Sequence, residues 1–148
     1  MKKLEEVFQR LSHPFPAVLI ERILEMEHGK RIRTVKGVTA NEFFLVGHFP
    51  GEPIMPGVMT LEGMIQSALL LIDELYSRGK VSGCLEKVDR LKFKRPVVPG
   101  DRVEFQVQLI SQENHLHKFK GKALVEGAAA AEADFTIKAS IREVGFEL

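Results

Sequence analysis

The stretch VMTLEGMIQSALLLIDEL, residues 58–75, decides how the rest of this chain must fold. Its apolar residues at Val58, Leu61, Ile65, Ala68, Ile72 and Leu75 step by three and four, the period of a helix face. Met64, Leu69, Leu70 and Leu71 make the other faces apolar too, so the helix is predicted to be buried. Gly79 stops it near the expected C-terminus.

A helix apolar nearly all round needs a sheet to cover it. Everything after Lys80 reads as strand: residues 81–97 (VSGCLEKVDRLKFKRPV), 102–111 (RVEFQVQLIS), 117–127 (HKFKGKALVEG) and 131–143 (AEADFTIKASIRE), with the alanines at 128–131 taken into the last. The alternation is clearest at Val103, Phe105, Val107 and Leu109, and Pro99-Gly100-Asp101 and Glu126-Gly127 are turn signals. Ahead of the helix, residues 17–26 and 31–39 read as an antiparallel pair joined near Gly29, and residues 4–11 as a short amphipathic helix that Pro14 and Pro16 bring to a stop. One buried helix and about six strands, mostly joined as hairpins, predict an α+β domain in which a single curved antiparallel sheet wraps one long central helix. No repeat or linker interrupts residues 1–148, so one domain is expected.

Composition narrows the function classes. At 148 residues and 45% hydrophobic content the chain can bury one core. With 21 basic against 20 acidic residues, whole-chain charge gives no argument for nucleic acid. Cys84 is the only cysteine, so an intrachain disulfide is impossible and a reducing cytosol fits best. The N-terminus lacks the apolar run of a signal peptide, and the window around residues 68–72 is too short and too closely flanked by Asp73 and Glu74 to span a bilayer. A soluble cytoplasmic protein without membrane or nucleic-acid partners is expected.

Against the start of the helix lies its least helical neighbour, GHFPGEPIMPGVMTLEGM, residues 47–64. Pro56 and Gly57 suit a helix start, where the free N–H groups of Gly57 and Val58 form an electropositive cradle for an oxygen that becomes negative during a reaction. A Cβ at Gly57 would obstruct a substrate carbonyl. Glu62, in an apolar helix, would have its pKa raised by burial and could then serve as a general acid, with Gln66 at i+4 orienting it. His48 offers an imidazole with an unperturbed pKa of about 6.5, suited to a general base. On residue type alone other roles stand open: His48 satisfying a buried carbonyl, Glu62 pairing with a lysine or facing a groove, and the prolines and glycines forming a plain loop.

The runs HPFPAVLIERIL (13–24), GKRIRTVKGVTANEFFLVGHFPGEPIMPGVMTLEGMIQ (29–66), KFKRPVVPGDRVEF (92–105), FKGKALVEG (119–127) and AEADFTI (131–137) resemble, over essentially the whole chain, the β-hydroxyacyl-acyl-carrier-protein dehydratases of type II fatty acid synthesis, which have the hot-dog fold. The resemblance implies that His48 is the catalytic histidine, Glu62 the catalytic acid, and the Gly57 N–H the holder of the thioester carbonyl. Val58, Gln66, Phe49, Pro56 and Phe15 would complete the substrate site, Phe15 standing where many relatives have Tyr. It further implies a homodimer whose active site lies at the interface, His48 of one subunit facing Glu62 of the other, with a trimer of dimers as a further assembly. The substrate would ride on the phosphopantetheine of acyl carrier protein, with no further cofactor and no metal. Glu62 rather than Asp favours the plain dehydratase branch, and Ser67-Ala68-Leu69-Leu70, bulkier than the family's small cluster, would narrow the acyl tunnel. Hydrolysis of the same thioester, or acyl-thioester or carrier binding without catalysis, are the alternatives on this fold.

Lys92, Lys94, Arg95 and Arg102, with Arg90, cluster around residues 96–100, near the mouth the resemblance implies, where they could steer the acidic carrier protein; an ordinary charged edge strand reads the same way. His115 and His117, two apart on an expected strand, lack a third metal ligand at suitable spacing. Cys84 is expected as a small buried hydrophobe, and Met55, Met59 and Met64 as core filling or tunnel lining.

Overall fold

Strand alternation and helix period settle into one sheet packed on one helix in the computed structural model, which describes residues 18–39, 42, 54–76 and 81–141. Six strands are found among these residues: β1 (Arg22–Glu27), β2 (Arg31–Gly37), β3 (Val81–Phe93), β4 (Arg102–Glu113), β5 (Leu116–Val125) and β6 (Ala128–Ile141). The helix α1 (Gly57–Leu75) comes between β2 and β3. The expected helix over 4–11, and Phe15, His48, Phe49 and Gly79, lie outside the described residues.

All strand pairs are antiparallel, in the order β1-β2-β4-β5-β6-β3. Hairpins join β1 to β2, β4 to β5 and β5 to β6, but β3 pairs with β6 and so forms the edge of the sheet opposite β1. The chain from β3 to β4 therefore crosses the sheet instead of turning back as a hairpin. Between β5 and β6, Glu126 (φ 51°) and Gly127 (φ 79°) both have positive φ, the twist a two-residue hairpin turn requires.

The first strand starts five residues later than its apolar run suggests. The Leu19 N–H donates to the Gln66 side chain at 2.8 Å instead of joining a ladder, while Leu19 and Ile20 are buried against the core. At the other end β3 stops at Phe93, because the Lys94 and Arg95 N–H groups both turn to the Ala130 carbonyl and Pro96 follows.

Alternation places Val103, Phe105 and Val107 under the helix, all essentially inaccessible to solvent, with Phe119 and Phe135 stacked beside them. The helix buries Leu61, Met64, Ala68, Leu70, Leu71 and Ile72, and it packs on β2 through β6. Met55 and Met64 are core residues and Met59 packs at the core's margin. Cys84, expected to be buried, is exposed, because it sits on the edge strand.

Candidate active site

The helix starts as expected and is left uncapped. Pro56 is its N-cap and accepts the Met59 and Thr60 N–H groups at 2.9 and 3.3 Å, while no side chain caps the end and no acidic residue occupies the first turn. The Gly57 and Val58 N–H groups have no acceptor among the described residues, and Val58 is 67% exposed. The positive end of a five-turn helix therefore faces outward with donors available.

A cleft of about 390 Å³ opens there, between the start of α1 and the chain leaving β3. Gly57, Thr60, Phe93, Lys94 and Arg95 are among its lining residues. Gly57 also meets a close approach from within the chain. A Cβ there would lie 2.5 Å from Phe93 Cζ, so the space is already taken by an aromatic ring of the same chain. Nothing in the period of β3 marks Phe93 for this position, since the contact depends on how the sheet wraps the helix.

Glu62 does not line this cleft. At about 100° per residue it stands roughly 140° round the helix from Gly57, so the two open on different sides of α1. Its carboxylate is half-buried and accepts a hydrogen bond from Gln66 Nε2 at 3.3 Å. Gln66 is completely buried, and its Oε1 is in turn held by the Leu19 N–H. The i, i+4 pairing read from the sequence is thus present, extended by a backbone anchor that no spacing rule would reveal.

Of the expected basic cluster, Lys94 and Arg95 line the cleft, while Lys92 and Arg102 do not. Lys94 and Arg95 stand at the rim of the cleft, and each already has a carboxylate partner: Glu132 for Lys94, and Asp101 at 3.5 Å for Arg95. Lys94 holds the Glu132 carboxyl below the usual carboxylate range by hydrogen bond and charge. Arg102 lines a separate groove with Gly100 and Glu104, and Lys92 is exposed on β3.

The two strand histidines also separate. His115 lies in the turn, whereas His117 is buried, with both ring nitrogens engaged. Its Nδ1 donates to the His115 carbonyl at 3.2 Å, which leaves Nε2 to accept from the Tyr76 hydroxyl at 2.9 Å; Gln112 bonds the same hydroxyl. Burial pushes the His117 pKa below its ordinary value of 6.5. The unfolded chain therefore binds this proton more readily than the folded one, and stability present above about pH 6.5 declines as pH falls from there toward the folded pKa. Thermal unfolding followed between pH 7.5 and 5 should show a falling Tm, with a flatter slope in His117→Gln.

Residues 11–134 match the FabA-like domain family. The chain belongs to that dehydratase family. A 3-hydroxyacyl-[acyl-carrier-protein] dehydratase FabZ from Erythrobacter litoralis is 43% identical over 136 residues, spanning 90% of this chain and 89% of that protein. The FabZ protein of Escherichia coli O9:H4 is 42% identical over 135 residues, spanning 88% of each. Among solved structures, the dehydratase heterocomplex ApeI:P from Xenorhabdus doucetiae superposes with a TM-score of 0.76 at 17% identity, over 95% of this chain and 93% of that one. The TT0310 protein from Thermus thermophilus gives 0.66 at 17%, over 90% and 100%. The two structural likenesses concern the fold alone, which is the hot-dog arrangement of FabA-like members: one antiparallel sheet around one long helix.

Among the described residues no helix is long and apolar enough to cross a membrane, and no group of three or more His, Cys, Asp or Glu is placed to hold a metal ion.

Proposed function

We propose that this FabA-like chain dehydrates (3R)-hydroxyacyl thioesters to trans-2-enoyl thioesters in fatty acid biosynthesis, in the cytoplasm, with the acyl group delivered on the phosphopantetheine of acyl carrier protein. The single observation that carries the assignment of roles is the anchored Glu62: a half-buried carboxylate on an apolar helix, fixed by Gln66, which is itself fixed by Leu19.

His48 removes the α-proton, and the negative charge moves onto the thioester oxygen. The free Gly57 N–H and the positive end of α1 stabilise that oxygen. Glu62 gives its proton to the departing β-hydroxyl, which leaves as water, and the proton held by His48 returns to Glu62 through solvent. No step calls on a metal or a further cofactor. His48 lies outside the described residues, and its role rests on its position in the matched family stretch.

That Glu62 and the Gly57 cradle open on different sides of α1 supports a site shared between two subunits, each supplying one part. β3 supports the same reading, as a free edge strand carrying exposed Leu85, Val88, Leu91 and Phe93, an apolar row that a second copy would cover. The dimer would be the unit from which a trimer of dimers is built, over a single domain spanning residues 1–148. Lys94 and Arg95 at the cleft rim favour an acidic carrier and its phosphate.

The test is the ultraviolet absorbance of a trans-2-enoyl-acyl-carrier-protein after addition of the purified protein, with free thiol titrated in parallel. Loss of enoyl absorbance without thiol release is expected. Thiol release would move the assignment to thioester hydrolysis, and binding without either change would make the chain a carrier-binding protein.

A further inference from the structure

We propose that the Thr60 hydroxyl is a substrate-positioning group that hydrogen-bonds an amide of the pantetheine arm in the cleft at the start of α1, an inference that rests on the dehydratase reading above. Thr60 is 3% exposed and lines that cleft. Its Oγ1 has no hydrogen-bond partner among the described residues.

The helix's other buried hydroxyl shows what is missing. Ser67 Oγ donates to the Gly63 carbonyl, one turn back, at 2.8 Å, and also pairs with Thr34 Oγ1 at 2.8 Å. The corresponding carbonyl for Thr60 is that of Pro56, which already accepts the Met59 and Thr60 N–H groups. A buried hydroxyl left in this state is unfavourable for the free protein, and a ligand that supplies the missing bond relieves it.

The remaining walls say which ligand. Ile54, Met55, Phe93, Pro96 and Val97 are apolar, and the cations Lys94 and Arg95 stand at the rim. A mainly apolar chain interrupted by amides and ending in a phosphate matches walls, hydroxyl and rim together. An alkyl tail would leave Thr60 unsatisfied and would have no use for the cations. Gly57, which takes the thioester oxygen, lines the same cleft as Thr60, so the arm that follows the thioester is the part of the substrate placed against the hydroxyl.

Thr60→Val keeps the shape and removes the hydroxyl, and Thr60→Ser keeps the hydroxyl. Titration calorimetry on the full chain with an S-alkyl pantetheine thioether, which cannot react, should show Kd about three- to tenfold weaker for Thr60→Val and near wild type for Thr60→Ser, the effect of one neutral hydrogen bond. An S-alkyl probe without amides should bind wild type and Thr60→Val alike. In turnover KM should rise by the same factor with kcat unchanged, since the contact is equal in ground and transition states. Tm of Thr60→Val should hold or rise. Equal thioether binding by wild type and Thr60→Val, or an equal loss with the amide-free probe, overturns the inference. Failure of wild type to turn over any enoyl thioester would overturn the dehydratase reading instead, while the thioether comparison still decides the role of Thr60.

Discussion

Glu62→Gln lowers kcat/KM for hydration of an enoyl thioester by about 10²- to 10⁴-fold, the usual contribution of a positioned general acid. The substitution is nearly isosteric, and its amide oxygen can still accept from Gln66 Nε2, so the link to Leu19 survives. What is lost is the transferable proton. Tm should therefore stay close to wild type while activity collapses, a combination that a purely structural role for Glu62 does not produce. Initial rates and thermal unfolding on the same preparation check both halves. A loss below about tenfold would remove Glu62 from the chemistry.

Gly63→Ala has the largest expected effect on stability, with a sign opposite to helix propensity. Propensity alone predicts a gain of about 1 kcal/mol for alanine over glycine inside a helix. A Cβ at Gly63, however, would overlap Phe105 Cζ and lie 2.6 and 2.7 Å from its Cε atoms. Phe105 has no exposed surface and sits on β4, which is paired on one side with β2 and on the other with β5, so neither ring nor strand can withdraw cheaply. Overpacking of this kind costs about 3 kcal/mol. The net loss of about 2 kcal/mol should lower Tm by roughly 4–8 °C in a chain of this size. Phe105→Leu in the same background should recover part of the loss, because the two residues contend for one volume. An unchanged or higher Tm in Gly63→Ala alone would mean that helix and sheet are less closely packed than described.

Those two residues also mark where the sequence is legible and where it falls silent. Period decides elements: the steps along residues 58–75 give α1, and the alternation at Val103, Phe105 and Val107 gives the face of β4 beneath it. Local chemistry decides turns, as at Glu126-Gly127. The i, i+4 spacing is enough to pair Gln66 with Glu62. What spacing does not carry is contact between distant segments. Phe93 over Gly57, Phe105 under Gly63 and Leu19 on Gln66 each join residues far apart in the chain, and each depends on how the sheet closes on the helix. The same limit explains Cys84: an apolar run reads alike on a central and an edge strand, and the pairing of β3 with β6 alone leaves it exposed. It explains the basic cluster as well, where Lys94 meets a carboxylate from a distant strand that spacing does not announce.

The measurement that bears most directly on the account mixes two inactive proteins. His48→Ala and Glu62→Gln are unfolded together, refolded as a mixture, and assayed for enoyl-thioester hydration beside each variant refolded alone. If every active site takes its histidine from one subunit and its acid from the other, mixed dimers regain one intact site and the mixture recovers about a quarter of wild-type activity. A mixture as inactive as its components would contradict the shared site, and with it the division of labour between His48 and Glu62.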